Sequence, residues 1–274
     1  MPDKPRLLIT RKLTDAVLMR AARDYDVTVN ADDHVFATDE LIAKCQDVDA
    51  VLPCHSEHFS ADVISALPKR LKIIANHSVG VDHVDLVAAK DAGVVVTNTP
   101  DVLSDATAEI AMLCMLGAAR RGAEGDAMIR AGKWDFWSPA FMVGRQVTGK
   151  RFGVLGMGRV GQVAAERARG FGMIVHYHNR KPVPEHLAKG AVFHDTVEGL
   201  FANSDVLSLH CPATPQTTGI INKDTIALLP ALKNVFLLPH IGSATEETRD
   251  AMGYRALDNL DAYFKGREPG DRVA

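Results

Sequence analysis

The 274 residues suffice for one large or two modest domains, and 47% hydrophobic with 24% charged residues rules out a disordered chain, collagen or a coiled coil. Against 31 Lys and Arg stand 34 Asp and Glu, a net charge of -3, so there is no global positive field to hold nucleic acid or an anionic membrane. No apolar run reaches the eighteen or so residues a spanning helix needs, and MPDKPRLLITRKL turns strand-like before it can form a signal core. A cytoplasmic protein is expected. Cys45, Cys54, Cys114 and Cys211 show no paired ligand spacing, which argues against a disulfide scaffold and against a metal site.

In chain order, RLLIT (6–10), YDVTVN (25–30), DAVLP (49–53), LKIIAN (71–76) and VVVTN (94–98) read as strands. Helical stretches separate them: 14–23, near 38–45, near 60–67, and VDLVAAKDAG. Short, nearly all-apolar strands alternating with helices describe a parallel sheet covered on both faces, an α/β domain. Asn98-Thr99-Pro100-Asp101 breaks the pattern and marks a change of domain. From Asp105 to Arg121 a helix is apolar around most of its circumference and demands burial on several sides. Strand, glycine turn and helix follow at 149–172, then the strands MIVHYHN (173–179), VFHD and DVLSLHC (205–211), and finally NVFLLPH (234–240).

The glycine turn is Gly156-Met157-Gly158-Arg159-Val160-Gly161. It follows an apolar strand, opens a helix and precedes another strand within thirty residues, the context of a dinucleotide fingerprint. The first glycine permits the turn, the second admits a pyrophosphate to the backbone, and the third lets helix and strand pack closely. An acid ending the next strand would accept a ribose 2'-hydroxyl, but the chain reads His178-Asn179-Arg180-Lys181 there. Asn179, Arg180 and Lys181 suit a 2'-phosphate, so NADPH is expected in preference to NADH, with NAD still admissible.

Among 11 histidines, His34, His55, His58, His186 and His194 read as surface or loop residues. His240 differs, because it ends VFLLPH and leads into Ile241-Gly242-Ser243, a loop at the carboxyl end of a strand, where open α/β sheets bind ligands. Imidazole, titrating near neutrality, can give a proton to a ketone oxygen while hydride arrives from a nicotinamide.

Nearly the whole chain resembles the D-isomer-specific 2-hydroxyacid dehydrogenases, and within them the glyoxylate/hydroxypyruvate reductase branch. The segments that carry the likeness are ANHSVGVDHVD (75–85), TAEIAMLCMLGAARR, GVLGMGRVG, VHYHNRKP, LSLHCPATPQTTGIIN, PHIGSATEETRDAM and LDNLDAYFKGREP. The resemblance implies that Val79 and Gly80 present backbone to a substrate carboxylate and that His240 is the proton donor. It places Thr107 near the nicotinamide and Arg159, Val160, Cys211, Pro212, Thr217 and Gly242 along the cofactor. More weakly, Leu52 to Cys54 and Trp137 shape the pocket. It further implies two Rossmann-like domains with parallel sheets and an active cleft between them: a discontinuous substrate domain, 1–99 plus 244–274, and an NAD(P)-binding domain, 100–243. The helix after Asp105 resembles the family's dimer element, so a homodimer is expected.

Pro230 runs directly into Ala231-Leu232-Lys233-Asn234, where the family has further strands and a helix. Roughly forty to fifty residues of the nucleotide domain's central segment are missing there, and their loss would leave neighbouring strands with unpaired backbone and bare apolar faces. The missing stretch holds the family's carboxylate-clamping arginine and histidine-orienting acid, and no residue here is named as either; Glu246, Glu247 and Arg249 read as structural. The expected reaction is reduction of a small 2-oxo acid, glyoxylate or hydroxypyruvate, to glycolate or D-glycerate. The alternatives are an NAD-dependent D-2-hydroxyacid or phosphoglycerate dehydrogenase and a non-enzymatic, corepressor-like NAD(P)-binding protein.

Overall fold

The computed structural model of the protein describes residues 4–228 and 236–274. The chain divides into two compact units, Met1–Leu103 with Ala244–Ala274, and Ser104–Ser243.

The first unit contains β1 (Arg6–Ile9), α1 (Asp15–Asp24), β2 (Asp26–Val29), α2 (Thr38–Cys45), β3 (Ala50–Leu52), α3 (Ala61–Ala66), β4 (Ile73–Ala75), α4 (Leu86–Asp91) and β5 (Val95–Thr97). Its strands are all parallel, in the order β2-β1-β3-β4-β5. Side chains alternate across a strand, and here both sides are apolar. Leu8, Val51, Ile74 and Val96 join Leu41, Cys45, Val63 and Ile64 of α2 and α3 in one core. Leu7, Ile9, Leu52 and Ile73 join Val17 and Ala21 of α1 in another. That is why the strand segments read as continuous apolar runs.

The second unit contains α5 (Ser104–Ala119), α6 (Gly122–Arg130), β6 (Arg151–Leu155), α7 (Arg159–Gly170), β7 (Ile174–His178), α8 (Glu185–Ala188), β8 (Val192–His194), α9 (Val197–Ala202), β9 (Val206–Leu209) and α10 (Lys223–Ile226). Its parallel strands run β8-β7-β6-β9. Phe152, Val154, Val175 and Tyr177 pack on Ala164, Ala165 and Ala168 of α7 and on Met112 and Met115 of α5. The opposite face buries Leu155 against Leu200 and Phe201 of α9. The apolar character of α5 all round is thus only partly used here, and Leu113 stays exposed.

The chain then returns to the first unit as α11 (Glu246–Phe264), which lays Ala256, Leu257 and Leu260 on the sheet face that α1 also covers. Beyond it, Val273 N donates to Val96 O at 2.8 Å, pairing the last residues with β5. Gly253 lets α11 approach α1, for a Cβ there would lie 2.4 Å from Val17 Cγ2 and 2.6 Å from Cγ1. Val17 is fully buried and its branched side chain has little rotamer freedom. Gly253→Ala should therefore destabilise this unit by about 1–3 kcal/mol, overpacking outweighing up to about 1 kcal/mol of helix propensity. The same change in a Val17→Ala background should cost nothing further, and urea unfolding of the four proteins of that cycle measures the coupling. Additive effects would refute the contact.

One expected strand is not found. Of NVFLLPH, residues 234 and 235 lie outside the described residues, and 236–239 form no strand. A strand needs a neighbour to pair its backbone. Among the described residues nothing pairs with the outer edge of β9, where Leu209 is 46% exposed, and Leu237 is 84% exposed. His240 therefore does not end a strand. The Pro230–Asn234 junction also lies outside the described residues.

Candidate functional site

In the second unit β6 and β9 are adjacent, yet the chain leaves β6 toward β7 on one side and reaches β9 only after β8. This is the point at which strand order reverses, where open parallel sheets form a crevice. The glycine turn sits there. Gly156 has φ +99°, and a Cβ on it would stand 2.6 Å from Cys211 N and 2.7 Å from His210 C, the chain leaving β9. A Cβ on Gly161 would stand 2.1 Å from Gly156 O, so only glycine lets α7 start against the turn. Gly158 is different, because a Cβ there would meet nothing within 4 Å. It is the N-cap of α7 and provides no side-chain cap, so no capping side chain occupies the start of the helix. An uncapped helix start behind a side-chain-free residue fits a pyrophosphate.

Asn179, at the end of β7, turns its Oδ1 to accept from Met157 N at 2.7 Å, so the amide also fixes the glycine turn. Arg180 and Lys181 project into solvent without hydrogen bond or ion pair among the described residues. Arg159 is exposed and Val160 half-buried on the first turn of α7. Cys211 is half-buried, and burial pushes its thiol up. Thr217 Oγ1 donates to Pro212 O at 2.7 Å and accepts from Thr214 N at 2.8 Å, closing the loop after β9 on itself. His240 is exposed, and Gly242 in its loop lies against Thr107 of α5, where a Cβ would be 3.4 Å from Thr107 Oγ1 and Cγ2. The structure thus brings together Gly156 with Cys211, Met157 with Asn179, and Gly242 with Thr107, all within the second unit.

In the first unit, the loop leaving β4 has its carbonyls occupied. Ser78 O accepts from Thr99 N at 2.9 Å, Val79 O from Asn98 Nδ2 at 2.8 Å, and Gly80 O from Ser78 Oγ at 2.8 Å. The N–H groups of Ser78, Val79 and Gly80 donate to no described residue. With these carbonyls occupied, three successive N–H groups have no acceptor among the described residues, an arrangement that can receive a carboxylate. Asn98 and Ser78 do the fixing. Sequence reasoning used Asn98 only as a domain break, since nothing local announces a bond across nineteen residues. Beneath the loop, burial pushes His83 down to about 4, and its Nε2 lies 2.8 Å from Asn76 Oδ1. Asn76 in turn donates to Thr97 O.

The neighbouring loop after β3 is held by Glu57, whose buried carboxylate accepts from Thr10 Oγ1 (2.7 Å), Ser56 Oγ (2.9 Å) and Cys54 N (3.2 Å). Burial pushes the Cys54 thiol up to about 12, a thiol unsuited to nucleophilic work. Trp137, in the other unit, is 75% exposed. One surface assignment needs correction: His194 is half-buried in β8, its Nε2 2.9 Å from His176 Nδ1. Strand pairing across eighteen residues makes that contact, and no local pattern signals it.

Residues 112–238 match the family model described as D-isomer specific 2-hydroxyacid dehydrogenase, NAD binding domain. The chain is 35% identical to a glycerate dehydrogenase of Hyphomicrobium methylovorum, across 97% of this chain and 98% of that one. It is 36% identical to a glyoxylate reductase of Thermococcus onnurineus, across 97% and 95%. A crystal structure of an NADPH-dependent glyoxylate/hydroxypyruvate reductase from Sinorhizobium meliloti, in complex with NADP and malonate, superposes with a TM-score of 0.83 at 26% identity, covering 99% of this chain and 97% of that one. The first of these alignments runs over 315 positions against the 274 residues present here, so at least 41 of them have no counterpart in this chain. A parallel α/β fold, a dinucleotide turn at the strand-order reversal and likeness along almost the whole length converge: the chain belongs to the D-isomer specific 2-hydroxyacid dehydrogenases, an enzyme family.

Proposed function

We propose that the protein reduces a small 2-oxo acid, glyoxylate or hydroxypyruvate, to glycolate or D-glycerate, with NADPH preferred over NADH. The observation that carries this reading is the glycine turn, whose open Gly158 faces the uncapped start of α7 beside the exposed cations Arg180 and Lys181. A bound reduced nicotinamide dinucleotide supplies the hydride. The first turn of α7 receives its pyrophosphate, with Arg159 and Val160 on that turn; Arg180 and Lys181 receive a ribose 2'-phosphate, and Asn179 contributes its free amide hydrogens. Thr107, Cys211, Pro212, Thr217 and Gly242 line the remaining length. Val79 and Gly80 hold the substrate carboxylate on their N–H groups, and His240 gives its proton to the carbonyl oxygen.

The unit of residues 104–243 then serves as the nucleotide domain, and the other as the substrate domain. Support for the substrate class comes from relatives named glyoxylate reductase and glycerate dehydrogenase. Steady-state assays pairing NADPH or NADH with glyoxylate, hydroxypyruvate and pyruvate test the reading, and absence of turnover with every pair would sink it. Arg180→Ala should narrow the NADPH over NADH preference about tenfold or more, the loss of one charge-assisted phosphate contact. An unchanged preference would remove Arg180 from the site.

Two further expectations belong here. The edge of β9, unpaired among the described residues, and the longer alignment support an active protein carrying a further segment between Pro230 and Asn234. An intact mass equal to that of the 274 residues would refute it. A cytoplasmic homodimer belongs to the same proposal; the exposed Leu113 on α5 bears on the dimer alone, to be checked by light scattering, where a monomer mass would count against it. No helix among the described residues is long and apolar enough to cross a membrane.

A further inference from the structure

Tyr177 is the penultimate residue of β7 and is 2% exposed. Its ring belongs to the core between the sheet and α7, and its centroid stands 5.3 Å from that of Phe193 on β8. A phenylalanine would fill that place equally well. A buried hydroxyl costs free energy unless it is paired. Among the described residues this one accepts one hydrogen bond, from Val183 N at 3.1 Å.

Val183 sits in the loop 179–184 between β7 and α8, within the run Pro182-Val183-Pro184. Neither proline has an N–H, so Val183 carries the only backbone donor of that run. A residue before a proline is confined to extended backbone, which restricts both Lys181 and Val183. The Val183 side chain, half-buried, packs on the same core as Tyr177. At the other end of the loop Asn179 Oδ1 accepts from Met157 N at 2.7 Å, and His178 O accepts from Gly156 N at 3.0 Å. Both ends are thus anchored, and between them Arg180, Lys181 and Pro182 are exposed. A loop held in its binding shape before the ligand arrives loses less entropy on binding.

We infer that Tyr177 is a positioning residue for cofactor choice: its hydroxyl pins Val183 and thereby fixes the loop that presents Arg180 and Lys181 to a ribose 2'-phosphate. The inference rests on the NADPH reading. Buried in the core, the hydroxyl acts through the loop and not by contact with the cofactor. Its loss therefore bears on the 2'-phosphate and spares a cofactor that carries a 2'-hydroxyl there.

The test uses the full chain and Tyr177→Phe, which keeps the ring and removes only the oxygen. NADPH and NADH are titrated by fluorescence, amide exchange is followed across residues 179–183, and thermal unfolding serves as the control. The Kd for NADPH should rise about five- to tenfold, the worth of one hydrogen bond, while that for NADH stays within about twofold. The Val183 amide should be protected in the wild type and exchange faster in the variant. With Arg180→Ala and Lys181→Ala both in place, adding Tyr177→Phe should leave the NADPH Kd where it was. A role in core stability alone would move both cofactors alike and persist in that background, and either result would overturn the inference. If Tyr177→Phe fails to fold, exchange in the wild type decides, because an unprotected Val183 amide would overturn the pin. A wild type that binds NADH as tightly as NADPH would overturn the NADPH reading, and the role of Tyr177 in cofactor choice would fall with it. A preference for NADPH that is equally strong with and without the hydroxyl would overturn the Tyr177 inference alone.

Discussion

Gly161→Ala is expected to destabilise the nucleotide unit strongly, whereas Gly158→Ala, three residues earlier in the same turn, is expected to leave its stability nearly unchanged and cripple its affinity for NADPH. The two glycines lack a Cβ for opposite reasons. At Gly161 the added atom would stand 2.1 Å from Gly156 O and 3.1 Å from Gly156 C and Val154 Cγ1. Two of these are backbone atoms of the turn itself, and Gly156 is pinned from the other side by Cys211 N. Neither α7 nor the turn can yield without separating the helix from β6, so a loss of about 3 kcal/mol or more is expected. That is a large fraction of the roughly 5–15 kcal/mol by which a domain is stable.

Gly158 lies in open space at φ -79°, ψ -161°, a conformation alanine adopts without strain. Losing a glycine N-cap to alanine costs about 1 kcal/mol at most. The methyl group would occupy the space proposed for the pyrophosphate, so the Kd for NADPH should rise more than about tenfold. Urea unfolding monitored on both variants, with a fluorescence titration of NADPH on Gly158→Ala, separates the two effects. Native-like stability in Gly161→Ala would contradict the packing account, and unaltered NADPH affinity in Gly158→Ala would contradict the cradle.

The second large effect is at His240. Replacing it with glutamine should lower kcat for glyoxylate reduction by about 10²–10⁴, the usual contribution of a positioned acid, while NADPH affinity stays within a few-fold. Glutamine keeps size and hydrogen bonding but cannot deliver the proton that the new alkoxide needs. The loop it occupies is anchored elsewhere, Gly242 against Thr107, so the change should not displace the cofactor-lining residues. Retention of wild-type kcat would remove His240 from the proton transfer. A parallel loss of NADPH affinity and thermal stability would instead make it a structural residue of the loop.

Most of the first unit was legible from local pattern. Each strand that the apolar runs announced is present within a residue or two, because a strand buried on both faces has to be apolar throughout. The glycine turn was equally legible, since its three positions answer to three separate steric demands. Where local reading failed, the deciding partner was remote. NVFLLPH has the composition of a strand, but its described residues find no neighbour beyond β9. His194 looked like a loop residue until β8 paired with β7 and set it against His176. The helix α6 escaped notice because its two glycines and two acids offer no apolar face, and none of its residues is buried.

The sequence by itself determined the fold class, the order of elements, the position of the dinucleotide turn and the family, for each of these is written in residue type and spacing along the chain. The tertiary structure decided what is paired with what. It occupied the carbonyls of Ser78, Val79 and Gly80 with hydrogen bonds and left their N–H groups without an acceptor among the described residues. It drew Asn179 into the glycine turn, and it set His194 against His176. Pairing of this kind depends on contacts between segments far apart in the chain, and the free energy of a charge or an amide is settled by those contacts and not by its neighbours in sequence.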